Sequence, residues 1–210
     1  GTGTLTLGGL NQYSGSTTVE DGRLVAKSVG GSSPLGTGQS LIMGGTTTSG
    51  ILQLGDGAAP LNLNFTSLAS QGSGTLNKFV GGNAANSTLT VDVAGGATLF
   101  FGNLGGAGAN EANLNFVKQG AGDLSFAGTG TSTFNGTTTV VAGKLFMNTA
   151  GAFSATTTSL SVADGAEFTL RGNTGNAVTS YGFSGSGAVV TVGSSTGGTL
   201  GFGIDGALGV

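Results

Sequence analysis

The chain has 210 residues and carries a net charge of −3, with only 7% of its residues charged against roughly a quarter in an average soluble domain. Its 45 glycines come without a three-residue period and with only 2 prolines, which excludes collagen, and 37% apolar residues exclude a charged, disordered tail. The six cations (Arg23, Lys27, Lys78, Lys118, Lys144, Arg171) are scattered and form no phosphate-binding stripe, so no nucleic acid is expected as a partner.

From the N-terminus, apolar residues recur with a period of two. Leu5/Leu7, Leu41/Met43, Leu52/Leu54, Leu61/Leu63/Phe65, Leu89/Val91/Val93, Leu124/Phe126, Leu160/Val162 and Phe168/Leu170 alternate with small polar residues. This is the pattern of strands with one buried face. Gly-rich connectors separate them, such as Gly30-Gly31-Ser32, Gly55-Asp56-Gly57 and Gly105-Gly106-Ala107-Gly108. Helical spacing never survives more than a turn, so circular dichroism should show β-structure with negligible helix. No apolar run approaches the ~20 residues that span a bilayer, so this segment is not expected to insert in a membrane.

Short strands at this spacing suit a sandwich or barrel as well as a solenoid. Recurrence decides for the solenoid. Residues 13–25 (YSGSTTVEDGRLV) return at 134–146 (FNGTTTVVAGKLF), with Gly15/Gly136, Thr17/Thr138, Thr18/Thr139, Val19/Val140, Gly22/Gly143 and Leu24/Leu145 matching without gaps. Likewise GTGTLTLGG at 1–9 returns as GAGDLSFAG at 120–128, and NLNF occurs at 62–65 and 113–116. Similar residues at inward positions are what stacked ladders require. Coils of ~20 residues stacked at ~4.8 Å would make a rod roughly 50 Å long. Thr138 is expected to face outward, and Leu5 and Leu124 to lie in the core. Most phenylalanines, among them Phe65, Phe79, Phe100, Phe101, Phe116, Phe126, Phe134, Phe146 and Phe168, fall at inward positions, which leaves Tyr13 and Tyr181 as the exposed rings.

These motifs resemble the passenger-associated β-strand repeat of bacterial autotransporters and related giant surface proteins. The family pattern runs K-x-G-x-G-T-L-x-L-x-G, a short loop, then Y-x-G-x-T-x-V-x-x-G-x-L. Lys118 to Gly128 and Phe134 to Leu145 fit it, with Asp123 in the usual Thr place and Phe134 in the usual Tyr place. Residues 81–120 look like the spacer between copies. The resemblance implies an all-β fold, a right-handed parallel β-helix (β-solenoid) forming a single elongated repeat array, exported and displayed at the bacterial cell surface. It would run over 1–210 as one continuous array, with copy A at 1–119 and an incomplete copy B at 120–210. It implies no catalytic site and no cofactor.

The residues offer little chemistry of their own. Without His or Cys, Ser-His-Asp and Cys-His catalysis and His/Cys metal sites are impossible. The acids (Glu20, Asp21, Asp56, Asp92, Glu111, Asp123, Asp164, Glu167, Asp205) mostly adjoin a glycine or a strand end, as turn residues do, and no catalytic, cofactor or metal site is assigned to them. The stretch Gly105 to Glu111 approaches the calcium β-roll repeat once, with Asn110 where Asp is needed, and reads as a plain turn. Three threonine triplets (46–48, 137–139, 156–158) could build the flat T-x-T face of an ice-binding protein, but their uneven spacing shows no regular face.

The expected function is therefore a non-catalytic extracellular rod or fibre, with an adhesin recognising a host surface or polysaccharide as the alternative, and a β-helix enzyme or ice-binding protein behind it. Starting at Gly1 without Met or signal peptide, the sequence reads as a processed product or an excerpt. Both ends read as bare β-like segments without caps, so the expected partner is the chain itself, end to end, or a longer covalent array.

Overall fold

Alternating apolar residues in short runs must bury one face against other strands, and the described part of this chain does so by stacking them in ladders. The computed structural model describes residues 1–36, 38–147, 159–172, 189–193 and 197–204. Among these there is no helix, and every pairing between strands is parallel. The chain is a parallel β-solenoid built from three sheets.

The longest sheet has eight strands: β2 (Thr17–Val19), β4 (Gln39–Met43), β6 (Asn62–Ser70), β8 (Ser87–Asp92), β11 (Leu114–Gln119), β13 (Thr137–Val140), β15 (Ser159–Val162) and β17 (Val189–Val192). A first five-stranded sheet stacks β1 (Thr4–Leu7), β3 (Gly22–Ala26), β5 (Gly50–Leu54), β7 (Asn77–Gly81) and β10 (Gly102–Leu104). A second stacks β9 (Ala97–Phe100), β12 (Asp123–Phe126), β14 (Lys144–Met147), β16 (Glu167–Gly172) and β18 (Thr199–Ile204). Each strand of the long sheet leads through a corner into one of the five-stranded sheets. Side-chain bonds from one coil to the next span 22, 26 or 27 residues, so the coils are longer than ~20 residues and unequal. Residues 81–120, expected as a spacer, carry β8 to β11, and these strands join the same ladders as the rest.

The change from one five-stranded sheet to the other is built into two places. The first half of β6 pairs with β8 and the second half with β4, with a bulge opposite Gln39/Ser40. Strand β9 pairs with β12, while β10, just after it, pairs back onto β7. Phe100 sits at this junction and bridges the two stacks, its ring 5.3 Å from Phe79 and 5.6 Å from Phe126. Gly102 makes room for it, since a Cβ there would meet the Phe100 ring at 2.2 Å.

The interior follows the period-two pattern. Leu41, Met43, Leu52, Leu54, Leu89, Val91, Leu124, Phe126, Leu160 and Phe168 are all fully buried in one continuous cluster. Four expectations need correction. Leu5 is 61% exposed, because among the described residues β1 pairs with β3 alone, and Leu7 is only partly buried. Phe101 is half-buried, at the bend between β9 and β10. Tyr13 is half-buried against the core, with its hydroxyl 2.7 Å from Thr17 Oγ1. Tyr181, Asp205, the triplet at 156–158 and the last six residues lie outside the described residues.

The fourth correction concerns Thr138, which faces inward. It aligns with Phe116 on one side and Leu160 on the other, is 1% exposed, and its Oγ1 has no hydrogen-bond partner. An unpaired buried hydroxyl costs about 1–3 kcal/mol, so Thr138→Val, which keeps the shape, should stabilise the fold by about 1 kcal/mol. A higher urea midpoint checks this. A lower one would mean that the hydroxyl is satisfied.

Polar side chains inside the coils cap the corners. Asn77, fully buried, accepts from Gly50 N (2.9 Å) and donates to Phe101 O (2.7 Å). At another corner, Asn83 donates to Asp56 O, Asn113 to Asn83 O and Asn135 to Asn113 Oδ1, at 2.8–2.9 Å. They satisfy the backbone carbonyls of Asp56, Asn83 and Phe101 and the N–H of Gly50, groups that corners of unequal length would otherwise leave unpaired.

Candidate functional site

Three places could carry chemistry: the outward face of the long sheet, the loop at 105–113, and the buried Lys118. The outward face comes directly from strand alternation. In register, Asn62, Thr88, Asn115, Thr137 and Ser159 form one column, and Asn64, Thr90, Val117, Thr139, Ser161 and Thr191 a second. Both columns are uncharged and solvent-facing. Strands repeat every ~4.8 Å and alternate residues every ~6.8 Å, so the side chains form a flat rectangular array.

That array was hidden in the sequence by unequal coil lengths. Thr137 and Thr139 do lie on it, but Thr46 to Thr48 sit in a corner after β4, and the true counterparts are Thr88 and Thr90, which motif spacing missed. The signal that could have found them is the alternation Ser87 to Asp92 read with its ladder, not the triplets. The first column is bonded to itself. Asn62 Oδ1 accepts from Thr88 N (3.0 Å), and Asn115 Oδ1 accepts from Thr137 N (3.0 Å). Its amides are therefore committed to holding strands together. Val117 interrupts the second column.

The glycine-rich loop with the β-roll-like string is held by one ion pair. Arg23 on β3 donates to Glu111 Oε1 at 2.5 Å and to Gln53 Oε1 at 2.7 Å, and Gly108 N donates to Glu111 Oε2 at 3.0 Å. Burial works to raise the Glu111 carboxyl. The Arg23 hydrogen bond, the Gly108 N–H and the charges of Arg23 and Lys78 outweigh it and hold the group below its ordinary range. The carboxylate is thus consumed by the fold. Asn110 adopts φ 64, which closes the turn. The other acids are dispersed. Asp56 accepts from Ala58 N and Ala59 N and pairs with Lys27 at 3.4 Å. Glu167 pairs with Lys144 at 3.4 Å, and Asp21 caps Gly22 N at 2.8 Å. Among the described residues no three acids gather into a group that could hold a metal ion.

Lys118 is the unexpected feature. It is one of the six cations scattered along the sequence, and its side chain is fully buried. It occupies an inward position between Val91 on β8 and Val140 on β13, in a column that continues through Val162. Its ammonium reaches the corner and donates to Gln119 O (2.6 Å), Gly120 O (2.8 Å) and Ala142 O (3.1 Å), using all three N–H groups. Burial pushes its pKa down, while Asp123 and Asp92 pull it back up.

The two glycine corners expected from the repeat have one geometry. Gly22 and Gly143 have φ 70 and 63, and a Cβ on either would fall 2.3–2.4 Å from carbonyl oxygens of the preceding coil. No curated protein and no solved structure matches the chain. A family model does match, described as the passenger-associated-transport-repeat, over residues 1–26 and 116–145, which contain these two corners and Lys118. Two stretches of the chain are therefore similar to the passenger-associated-transport-repeat, and both lie in the ladders of a parallel β-solenoid.

Proposed function

We propose that this chain is a non-catalytic structural segment of a secreted, surface-displayed β-solenoid, in which stacked coils form a rod or fibre. The observation that supports it most is how the polar groups are used. Asparagines and serines hold corners, Glu111 holds a loop, Lys118 holds two coils, and the remaining acids among the described residues are dispersed over turns and strand ends. Such a wall suits spacing and display, and the passenger-type repeats fit export to the surface.

The proposed partner is a further coil, contributed by the same polypeptide or by a second copy of the chain. Exposed Leu5 and partly buried Leu7 line an opening together with Val19 and Leu24, and apolar surface of this kind is covered in a stacked array. Stacking of copies head to tail would be a heterologous contact and would yield an open filament. Light scattering on the purified chain at micromolar concentration tests this: growing elongated particles are expected, and a stable monodisperse monomer would contradict self-stacking. Reproducible turnover of a polysaccharide, lost on changing a single Asp or Glu, would refute the non-catalytic reading.

A second reading, adhesion to an uncharged polysaccharide, is favoured by one observation, the flat neutral array of Thr, Ser and Asn on the long sheet.

A further inference from the structure

We infer that Lys118 is a register pin: its ammonium fixes which residues of β11 stack on which residues of β13 where the solenoid changes coil length. A slip of one residue is forbidden by alternation, because it turns every inward side chain outward. A slip of two is not, since Leu114 and Phe116 would still face Thr138 and Val140 or their neighbours. Side-chain type alone does not choose between such registers. The strings NLNF at 62–65 and 113–116 show this directly. Stacked in phase, they would put Phe116 in the column of Phe65, yet the structure holds them two residues apart, with Leu63, Leu89 and Phe116 aligned.

Lys118 breaks that degeneracy. Two of its acceptors, Gln119 O and Gly120 O, belong to its own corner and would move with it. The third, Ala142 O, belongs to the next coil, 24 residues on, and is met only in the observed register. The corners it joins differ in length. Phe116 and Thr138 are aligned before the corner and Leu124 and Leu145 after it, so the upper corner is one residue tighter. A valine at this position would offer nothing to the carbonyls that the mismatch turns inward. A slip of two would leave the ammonium in an apolar column without Ala142 O, which is a costly place for a charge. A single buried polar group that sets register in an otherwise uniform apolar seam is an established physical device.

The test uses the absence of native cysteine. Val117 and Thr139 are registered neighbours on the outward face. Their Cα atoms stand ~4.8 Å apart, within disulfide range, whereas partners displaced by two residues stand ~8 Å away and beyond it. Val117→Cys is combined with Thr139→Cys, with Thr137→Cys or with Val141→Cys, and oxidation rates are compared. With Lys118 present, the registered pair should form on the order of tenfold faster than either displaced pair. In a Lys118→Met background the preference should fall several-fold as displaced registers become populated. An unchanged preference in folded Lys118→Met overturns the proposal. Loss of folding in both Lys118→Met and Lys118→Leu would assign the lysine to stability and overturn it as well.

Discussion

Leu124→Asp is expected to destabilise the fold by about 3–5 kcal/mol, whereas Leu5→Asp should cost less than about 0.5 kcal/mol. The two leucines occupy matching positions in the two repeats, so sequence alone predicts equal losses. The structure separates them. Leu124 is fully buried, with Leu145 above it and Thr98 below in the ladder, so an aspartate there would carry its charge into the apolar interior. Leu5 pairs with Leu24 on one side only and is 61% exposed, so its carboxylate would stay solvated. Chemical denaturation of the two variants checks the difference. Equal losses would show that the first strand is covered in solution, which is the outcome end-to-end stacking predicts at high concentration. Repeating the measurement across a dilution series separates the two cases, because only stacking makes the Leu5→Asp loss depend on concentration.

The contrast marks where the sequence is legible. Period-two alternation names the inward residues of β4, β5, β8, β12 and β15 correctly because each stacks between two neighbours. It fails at Leu5, where burial depends on a coil outside the strand itself. It fails at Thr138 for a different reason. Three consecutive threonines carry no apolar contrast, so their face is set only by Val140 two residues on, and Val140 is inward. The matching motif held the answer, since Thr17 lies two residues before Val19 and both are buried.

The candidate surfaces were less legible than the core. Whether Thr88 stands beside Asn115 and Asn62 depends on inter-coil register, and coils of unequal length erase any fixed spacing along the chain. Lys118 was hidden for a different reason. A lysine two residues before a turn glycine is usually solvated, and its position in the alternation Leu114, Phe116, Lys118 was the local sign that it points inward. What the motif did convey was the corner glycines, because a left-handed backbone leaves a mark on composition that no packing argument is needed to read.

Those corners carry the second large expected effect. Gly143→Ala should cost about 2–4 kcal/mol, from two separable sources. Gly143 has φ +63, where a non-glycine residue costs about 1–3 kcal/mol. Its missing Cβ also faces Gly122 O at 2.3 Å, Gly120 O at 2.7 Å and Ala121 O at 2.8 Å, all of them backbone atoms that cannot swing aside. Relieving the overlap would push this corner away from the one beneath it, where the adjoining Ala142 O receives the Lys118 ammonium. The control is Gly165→Ala, two strands on. Gly165 has φ +74 but, among the described residues, nothing within 4 Å of its Cβ position, so that variant should lose only the backbone contribution, about 1 kcal/mol. Urea midpoints of the two variants give the difference, which measures the close approach of one coil to the next. Equal midpoints would mean that the corners stand farther apart in solution, and that what the repeat requires of its glycine is the left-handed turn alone.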